Sequence, residues 1–163
     1  NGGLLGGTEF GHTVVQVGGV RCTCGREGCL ESYASATGLI RMAREQMDKH
    51  PDSLLWKLCD GDKSKVNAEL AFKASDEKDE AGMLAVQEYM KYLAAGVANA
   101  INMFRPEVVV LGGGISNRGE KLAAELNEMV KGECFGHTFV KPAEVVIASL
   151  KNDAGIIGAA ELC

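Results

Sequence analysis

Cys22-Thr23-Cys24-Gly25-Arg26-Glu27-Gly28-Cys29-Leu30-Glu31 sets three thiols within eight residues, and His12 stands ten residues before the first of them. Zinc favours four tetrahedral nitrogen and sulfur ligands, and a structural site closes all four positions with protein groups. His12, Cys22, Cys24 and Cys29 have that number and those types. Gly25 and Gly28 lie inside the loop joining the last two thiols, and the carboxylates Glu9 and Glu31 flank the knot. Six cysteines could also mean disulfides or redox chemistry. A secreted disulfide scaffold is usually smaller and loop-rich, whereas helical patterns run through this chain, so a zinc site is the preferred reading. Cys59, Cys134 and Cys163 are then ordinary thiols.

Working outward, Phe10 to Val17 is rich in Thr and Val and reads as a strand. Leu30 to Lys49 reads as helix, broken near Thr37-Gly38 and stopped by Pro51. Asp52 is expected to cap a short helix through Leu58, Asp60-Gly61-Asp62 to turn, and Val66 to Ala74 to form another short helix. Asp76 to Glu80 reads as a solvated charge run. Apolar residues at Leu84, Tyr89, Leu93, Val97, Ile101 and Phe104 keep helical spacing, so a long helix is expected from Ala81 to Phe104, where Pro106 blocks continuation. Gly96 within it suggests the close approach of another element. Val108-Val109-Val110-Leu111 reads as a strand buried on both faces. Gly112-Gly113-Gly114 ends it, and Arg118 to Val130 returns as helix. Val145 to Ala148 reads as a second buried strand, and Asp153 as the cap of a last helix, Ala154 to Leu162. Strand, glycine turn, helix, strand, helix is α/β order with parallel strands.

The chain has 163 residues with a formal net charge of −5 and a sequence pI near 5.3. That balance argues against a nucleic-acid surface, which needs clustered Lys and Arg. No apolar run approaches the roughly 20 residues needed to span a bilayer, and no signal peptide is visible, so a cytoplasmic protein is expected. The chain opens at Asn1 inside a Gly-rich run (Gly2, Gly3, Gly6, Gly7), which reads as a piece of a longer protein.

Glu9-Phe10-Gly11-His12 followed by the Cys22 to Glu31 loop resembles the motif of the ROK family (repressors, open reading frames and sugar kinases), and most closely its bacterial glucokinase branch. The Val108 to Gly114 run, the Asp153-Ala154-Gly155 turn and Gly158-Ala159-Ala160 match that family's order, so the resemblance covers essentially the whole chain. It implies an actin-like (ribonuclease H-like) ATPase-domain lobe with a zinc-binding loop, residues 1–163 being the C-terminal, larger lobe of a two-lobed kinase. It further implies that Glu9, His12 and Glu31 bind sugar hydroxyls, and that Gly112, Gly113 and Gly114 lie along ATP. Thr8 departs from the family's usual residue before the Glu, which leaves the contact of the Gly6-Gly7 loop open. The catalytic Asp and the phosphate loops are expected in the missing N-terminal half, so no catalytic residue is assigned here and the chain alone is expected to be inactive. The cofactors implied are structural Zn2+, ATP and Mg2+, and the assembly implied is a homodimer.

The chemistry of the residues supports that assignment. Hexose hydroxyls need several fixed acceptors, and an ionised carboxylate accepts two or more hydrogen bonds. His12 can hold a metal through one ring nitrogen and offer the other N–H to a sugar oxygen. Glu31 comes two residues after Cys29, so a metal would fix its backbone. Taken singly, Glu9 could be a surface carboxylate, Glu31 a helix-start carboxylate, and the glycine triplet a plain turn. The expected substrate is glucose, with N-acetylmannosamine or fructose open. A sugar-sensing repressor domain, or a zinc-stapled interaction domain, is the competing class.

Overall fold

The structure is a computed structural model that describes residues 9–150 and 153–161. The Gly6-Gly7 loop and Cys163 lie outside the described residues. The chain divides into two compact units, residues 1–93 and 94–163.

The first unit opens on a 3-10 turn, Phe10–His12, and the cysteine loop. Four helices follow: α1 (Glu31–Ala34), α2 (Ala36–Lys49), α3 (Leu54–Leu58) and α4 (Ala68–Asp76), and then the first part of α5 (Glu80–Phe104). Phe10 to Val17 is not a strand. Only Val14 pairs, as an isolated antiparallel bridge to Cys29. The Thr and Val content is overridden because Val15 and Gln16 N–H both turn to donate to one carbonyl, that of Gly28. The helical break falls at Ser35 rather than at Thr37-Gly38. Ser35 is extended, and its hydroxyl accepts from Gly38 N–H at 3.1 Å, capping α2. Leu39, Met42, Ala43 and Met47 then recur at helical spacing and are buried. α2 packs on α4, whose Ala71, Phe72 and Ala74 are buried with Leu55 of α3. Tyr89 of α5 is 2% exposed and meets Phe72 edge to face, 6.1 Å between centroids.

The cap of α3 is Ser53, not Asp52; its hydroxyl accepts from Leu55 N–H at 3.1 Å. The charge run also differs from expectation at Asp79. That carboxylate accepts from the Ser53 hydroxyl (2.8 Å), Leu54 N–H (2.7 Å) and Gly82 N–H (3.0 Å), so one side chain serves the starts of α3 and α5. Partial burial works to raise the Asp79 carboxyl, but the bonds from Gly82, Leu54 and Ser53, with the His50 ring nearby, outweigh it and hold it below the ordinary value of 3.8. A depressed folded pKa contributes stability above the unfolded pKa, and that contribution is lost as pH falls through the folded one. Asp79→Asn is therefore expected to cost about 1–2 kcal/mol at neutral pH. Thermal unfolding of the two proteins should show this gap closing as the pH drops below about 4. A gap that stayed constant down to pH 2 would refute the assignment.

The second unit holds the rest of α5, β1 (Val108–Leu111), a 3-10 turn (Gly114–Arg118), α6 (Glu120–Lys131), β2 (Glu144–Ile147) and α7 (Ala154–Ala160). β1 and β2 pair in parallel, Val109 opposite Val145 and Leu111 opposite Ile147. Leu122, Ala123, Leu126 and Val130 of α6 are buried, and α6 packs on β2. Asn127 on α6 imitates a neighbouring peptide. Its Nδ2–H donates to Val145 C=O at 2.8 Å, and its Oδ1 accepts from Val145 N–H at 2.9 Å. The expectation of burial on both faces fails for β1, because Val108 and Val110 are 45% and 57% exposed. Among the described residues the sheet has two strands, so β1 pairs on one edge only. Asp153 precedes α7 but makes no side-chain cap bond.

Candidate metal centre and its carboxylates

The knot is built by backbone bonds that close the loop on itself. Cys22 N–H donates to Arg26 C=O (2.7 Å), Gly25 N–H to Cys22 C=O (3.0 Å), and Gly28 N–H to Val20 C=O (2.8 Å). Gly25 and Gly28 take φ of +90° and +78°, a region open to glycine at no steric cost. The Arg26 guanidinium donates to His12 C=O at 3.2 Å, tying the histidine turn to the loop.

These bonds bring all four predicted ligands together. The ligand atoms of His12, Cys22, Cys24 and Cys29 lie within 4.8 Å of one another. Cys22 Sγ is 3.6 Å from His12 Nδ1, and Cys24 Sγ is 3.7 Å from Cys29 Sγ. A tetrahedral zinc with its usual bond lengths would set sulfur–sulfur edges of about 3.8 Å and sulfur–nitrogen edges of about 3.6 Å. The spacing therefore suits a tetrahedral ion, and a disulfide does not account for His12 facing the thiols. The charge balance points the same way. The Cys22 thiol is lowered to about 6, first by the Cys24 backbone N–H and then, against the opposing effect of burial, by the Ser32 hydroxyl, Cys24 and His12. Burial is the first cause that pushes the Cys29 thiol up to about 11, with Cys24 and Cys22 adding to it. Burial thus keeps the Cys29 thiol protonated, and a divalent ion bound there would supply the charge that favours its thiolate.

With Nδ1 facing the thiols, the other ring nitrogen of His12 points outward. His12 Nε2 lies 3.9 Å from Glu31 Oε2, and both side chains are partly exposed, 28% and 47%. That separation exceeds a direct hydrogen bond, and it leaves room for one oxygen atom to reach both groups. The Glu31 side chain lies over Gly11, where an added Cβ would come within 3.6 Å of it. Glu9 stands at the start of the 3-10 turn, its carbonyl accepting from His12 N–H at 3.0 Å, and is exposed. His12 and Glu31 thus come together, and Glu9 caps the turn that carries His12.

In the second unit, Gly112, Gly113 and Gly114 are exposed at the end of β1. Gly113 has φ of +75°, and an added Cβ at Gly113 or Gly114 would meet nothing within 4 Å. Ser116, fully buried, donates from its hydroxyl to Gly113 C=O at 2.6 Å and holds the turn. The turn is an open backbone platform that a ligand can approach without side-chain interference.

Of the remaining cysteines in the described residues, Cys59 and Cys134 are buried and far in sequence from the knot. His50 ends α2, half-buried, its Nδ1 2.8 Å from Gln46 C=O.

The whole chain, residues 1–163, matches the model of the ROK family. A glucokinase of Thermotoga maritima is 42% identical over 156 residues, 96% of this chain and 49% of that protein. A xylose repressor of Caldicellulosiruptor bescii is 27% identical over 152 residues, 92% of this chain and 37% of that protein. Among solved structures, a ROK family glucokinase from Streptomyces griseus, in complex with glucose and AMPPNP, superposes with a TM-score of 0.87. It is 30% identical, and the match covers 96% of this chain and 51% of that one. The chain thus spans about half the length of the two glucokinases and little more than a third of the repressor. No helix among the described residues is long and apolar enough to cross a membrane.

Proposed function

The chain belongs to the ROK family, and on that premise we propose that it is the sugar- and nucleotide-binding C-terminal lobe of an ATP-dependent glucokinase. The carrying observation is the placement of the His12 ring between the thiols and Glu31. Its Nδ1 faces the thiols at 3.6 Å while its Nε2 stands 3.9 Å from the Glu31 carboxylate. In this reading His12, Cys22, Cys24 and Cys29 would hold Zn2+, and His12, ligated through Nδ1, would keep one orientation and one tautomer. His12 Nε2–H then donates to a sugar oxygen, and Glu31 and Glu9 accept from sugar hydroxyls. A site built around such bonds rejects a sugar lacking the hydroxyl, because its polar groups would be left unpaired. Gly112, Gly113 and Gly114 lie along the nucleotide, where their bare backbone allows close approach.

Transfer of the γ-phosphoryl group needs a base for the attacking hydroxyl and clamps for the developing charge. In this reading those groups belong to the other lobe, with Mg2+ bound beside the ATP phosphates. The family resemblance extends the reading to a cytoplasmic homodimer. Support comes from the glucokinases that resemble the chain over nearly its whole length. The test is an ATP-dependent glucose phosphorylation assay on the two-lobed polypeptide. Glu31→Gln is expected to raise the glucose KM about tenfold or more while leaving the ATP KM within twofold. An unchanged glucose KM would overturn the sugar-site assignment.

The xylose repressor match favours one other reading, a sugar-sensing domain that keeps the knot and carries DNA-binding helices elsewhere. Sugar binding with no phosphoryl transfer by the two-lobed polypeptide would select it.

A further inference from the structure

Glu31 is carried on α1, a helix of four residues. A single turn makes too few internal bonds to hold a direction of its own, so the aim of the carboxylate depends on what anchors α1 from outside. At its start, Leu30 N–H donates to Thr13 C=O at 2.9 Å, next to His12. On its other side Arg41 of α2 donates to Ser32 C=O at 3.4 Å, and the buried anchor is Tyr33, which is 4% exposed. Its hydroxyl accepts from Val20 N–H at 2.7 Å. It also fills the space over Gly19, where an added Cβ would stand 2.1 Å from the hydroxyl oxygen. The ring stacks on Tyr92 of α5 with centroids 4.2 Å apart, and the Arg41 guanidinium of α2 lies 5.4 Å from its centroid. Tyr92 in turn donates from its hydroxyl to Gln16 Oε1 at 3.4 Å. One side chain therefore joins α1, α2, α5 and the strip of loop that leads into Cys22.

We propose that Tyr33 is a positioning residue for the sugar site: its hydroxyl, held by the Val20 amide, sets where the Glu31 carboxylate stands relative to His12. This rests on the reading of Glu31 as a sugar ligand. Without the hydroxyl bond α1 keeps Leu30 N–H on Thr13 C=O, the longer Arg41 bond to Ser32 C=O and its packing on α2, and loses the short tie to Val20 that resists a pivot about Leu30. A pivot would carry Glu31 away from His12 Nε2, and the two groups would no longer converge on one hydroxyl. The thiols depend less on the Tyr33 hydroxyl, because Cys22 bonds within its own loop to Arg26 and Gly25 and Cys29 pairs with Val14.

The experiment uses Tyr33→Phe, which keeps the stacked ring and removes only the hydroxyl, in the two-lobed polypeptide with glucose and ATP. The glucose KM is expected to rise about tenfold, as for loss of a partly buried hydrogen bond. The ATP KM should stay within twofold, and the zinc-to-protein ratio should stay at the wild-type value. A double-mutant cycle then separates positioning from plain structural support. Because Tyr33 acts through Glu31, the pair Tyr33→Phe with Glu31→Gln should bind glucose no more weakly than Glu31→Gln alone. Multiplicative losses in the double variant, a parallel rise in the ATP KM, loss of zinc, or an unchanged glucose KM would each overturn the proposal. If Glu31→Gln by itself leaves glucose binding intact, the sugar-site reading falls first. If Glu31→Gln weakens binding and Tyr33→Phe does not, only the positioning role falls.

Discussion

Gly28→Ala is expected to unfold the cysteine knot and, on the zinc reading proposed above, to abolish metal binding. At φ of +78° an alanine already costs about 1–2 kcal/mol. The larger effect is contact, because the new Cβ would stand 1.7 Å from Gln16 C=O and 2.7 Å from its carbonyl carbon. Those are backbone atoms, so no rotamer change relieves the overlap. Moving that strip of chain would break the bonds from Val15 and Gln16 N–H to Gly28 C=O, and with them the path that returns His12 to the thiols. The combined loss should exceed about 4 kcal/mol. Gly25→Ala is the control. It shares the strained backbone, at φ of +90°, but its Cβ would meet nothing within 4 Å. Thermal unfolding with metal analysis should therefore separate the two, Gly25→Ala keeping its zinc with a modestly lowered Tm and Gly28→Ala losing both. Equal behaviour of the two variants would show that backbone strain, not the Gln16 contact, governs the site.

The same contrast explains what the sequence could and could not disclose. Ligand number and type are local facts, so His12, Cys22, Cys24 and Cys29 could be picked out before any fold was known, and the structure brings their ligand atoms within 4.8 Å. The parallel pair β1 and β2 was likewise legible, because continuous β-branched runs separated by a glycine turn and a helix have few other solutions. Phe10 to Val17 was misread because its strand propensity is weaker than the demand that both ends of the knot meet. Asp79 looked like a solvated charge because nothing in Asp76 to Glu80 says that Ser53 will fold back 26 residues to meet it. Tyr33 was invisible for the same reason, since its partners Val20 and Tyr92 are distant in sequence. The exposed Val108 and Val110 mark a further limit: a sequence pattern records that a strand is meant to be covered, but not by which segment.

If His12, Cys22, Cys24 and Cys29 hold zinc as proposed, Cys24→Ser is expected to strip it and, in the two-lobed polypeptide, to weaken sugar binding with it. Cys24 is the ligand to choose because it is exposed, whereas Cys22 and Cys29 are buried. Replacing it removes a thiolate without opening a cavity, so a change in metal content is not a packing effect. Structural zinc sites bind with about 10–16 kcal/mol shared among four ligands, which puts the loss of one thiolate at roughly a hundredfold to a thousandfold in affinity. His12 would then lose the partner that fixes its tautomer, and its Nε2 would no longer face Glu31 in a set geometry. Titration with a chelator gives the metal affinity, and calorimetry with glucose gives the sugar affinity. Both should fall together, and chelator treatment of the wild-type protein should reproduce the sugar defect. If zinc content fell while glucose affinity held, the knot would be a staple that stabilises the fold without aiming Glu31 and His12. The distance of 3.9 Å between those two groups would then owe nothing to the metal.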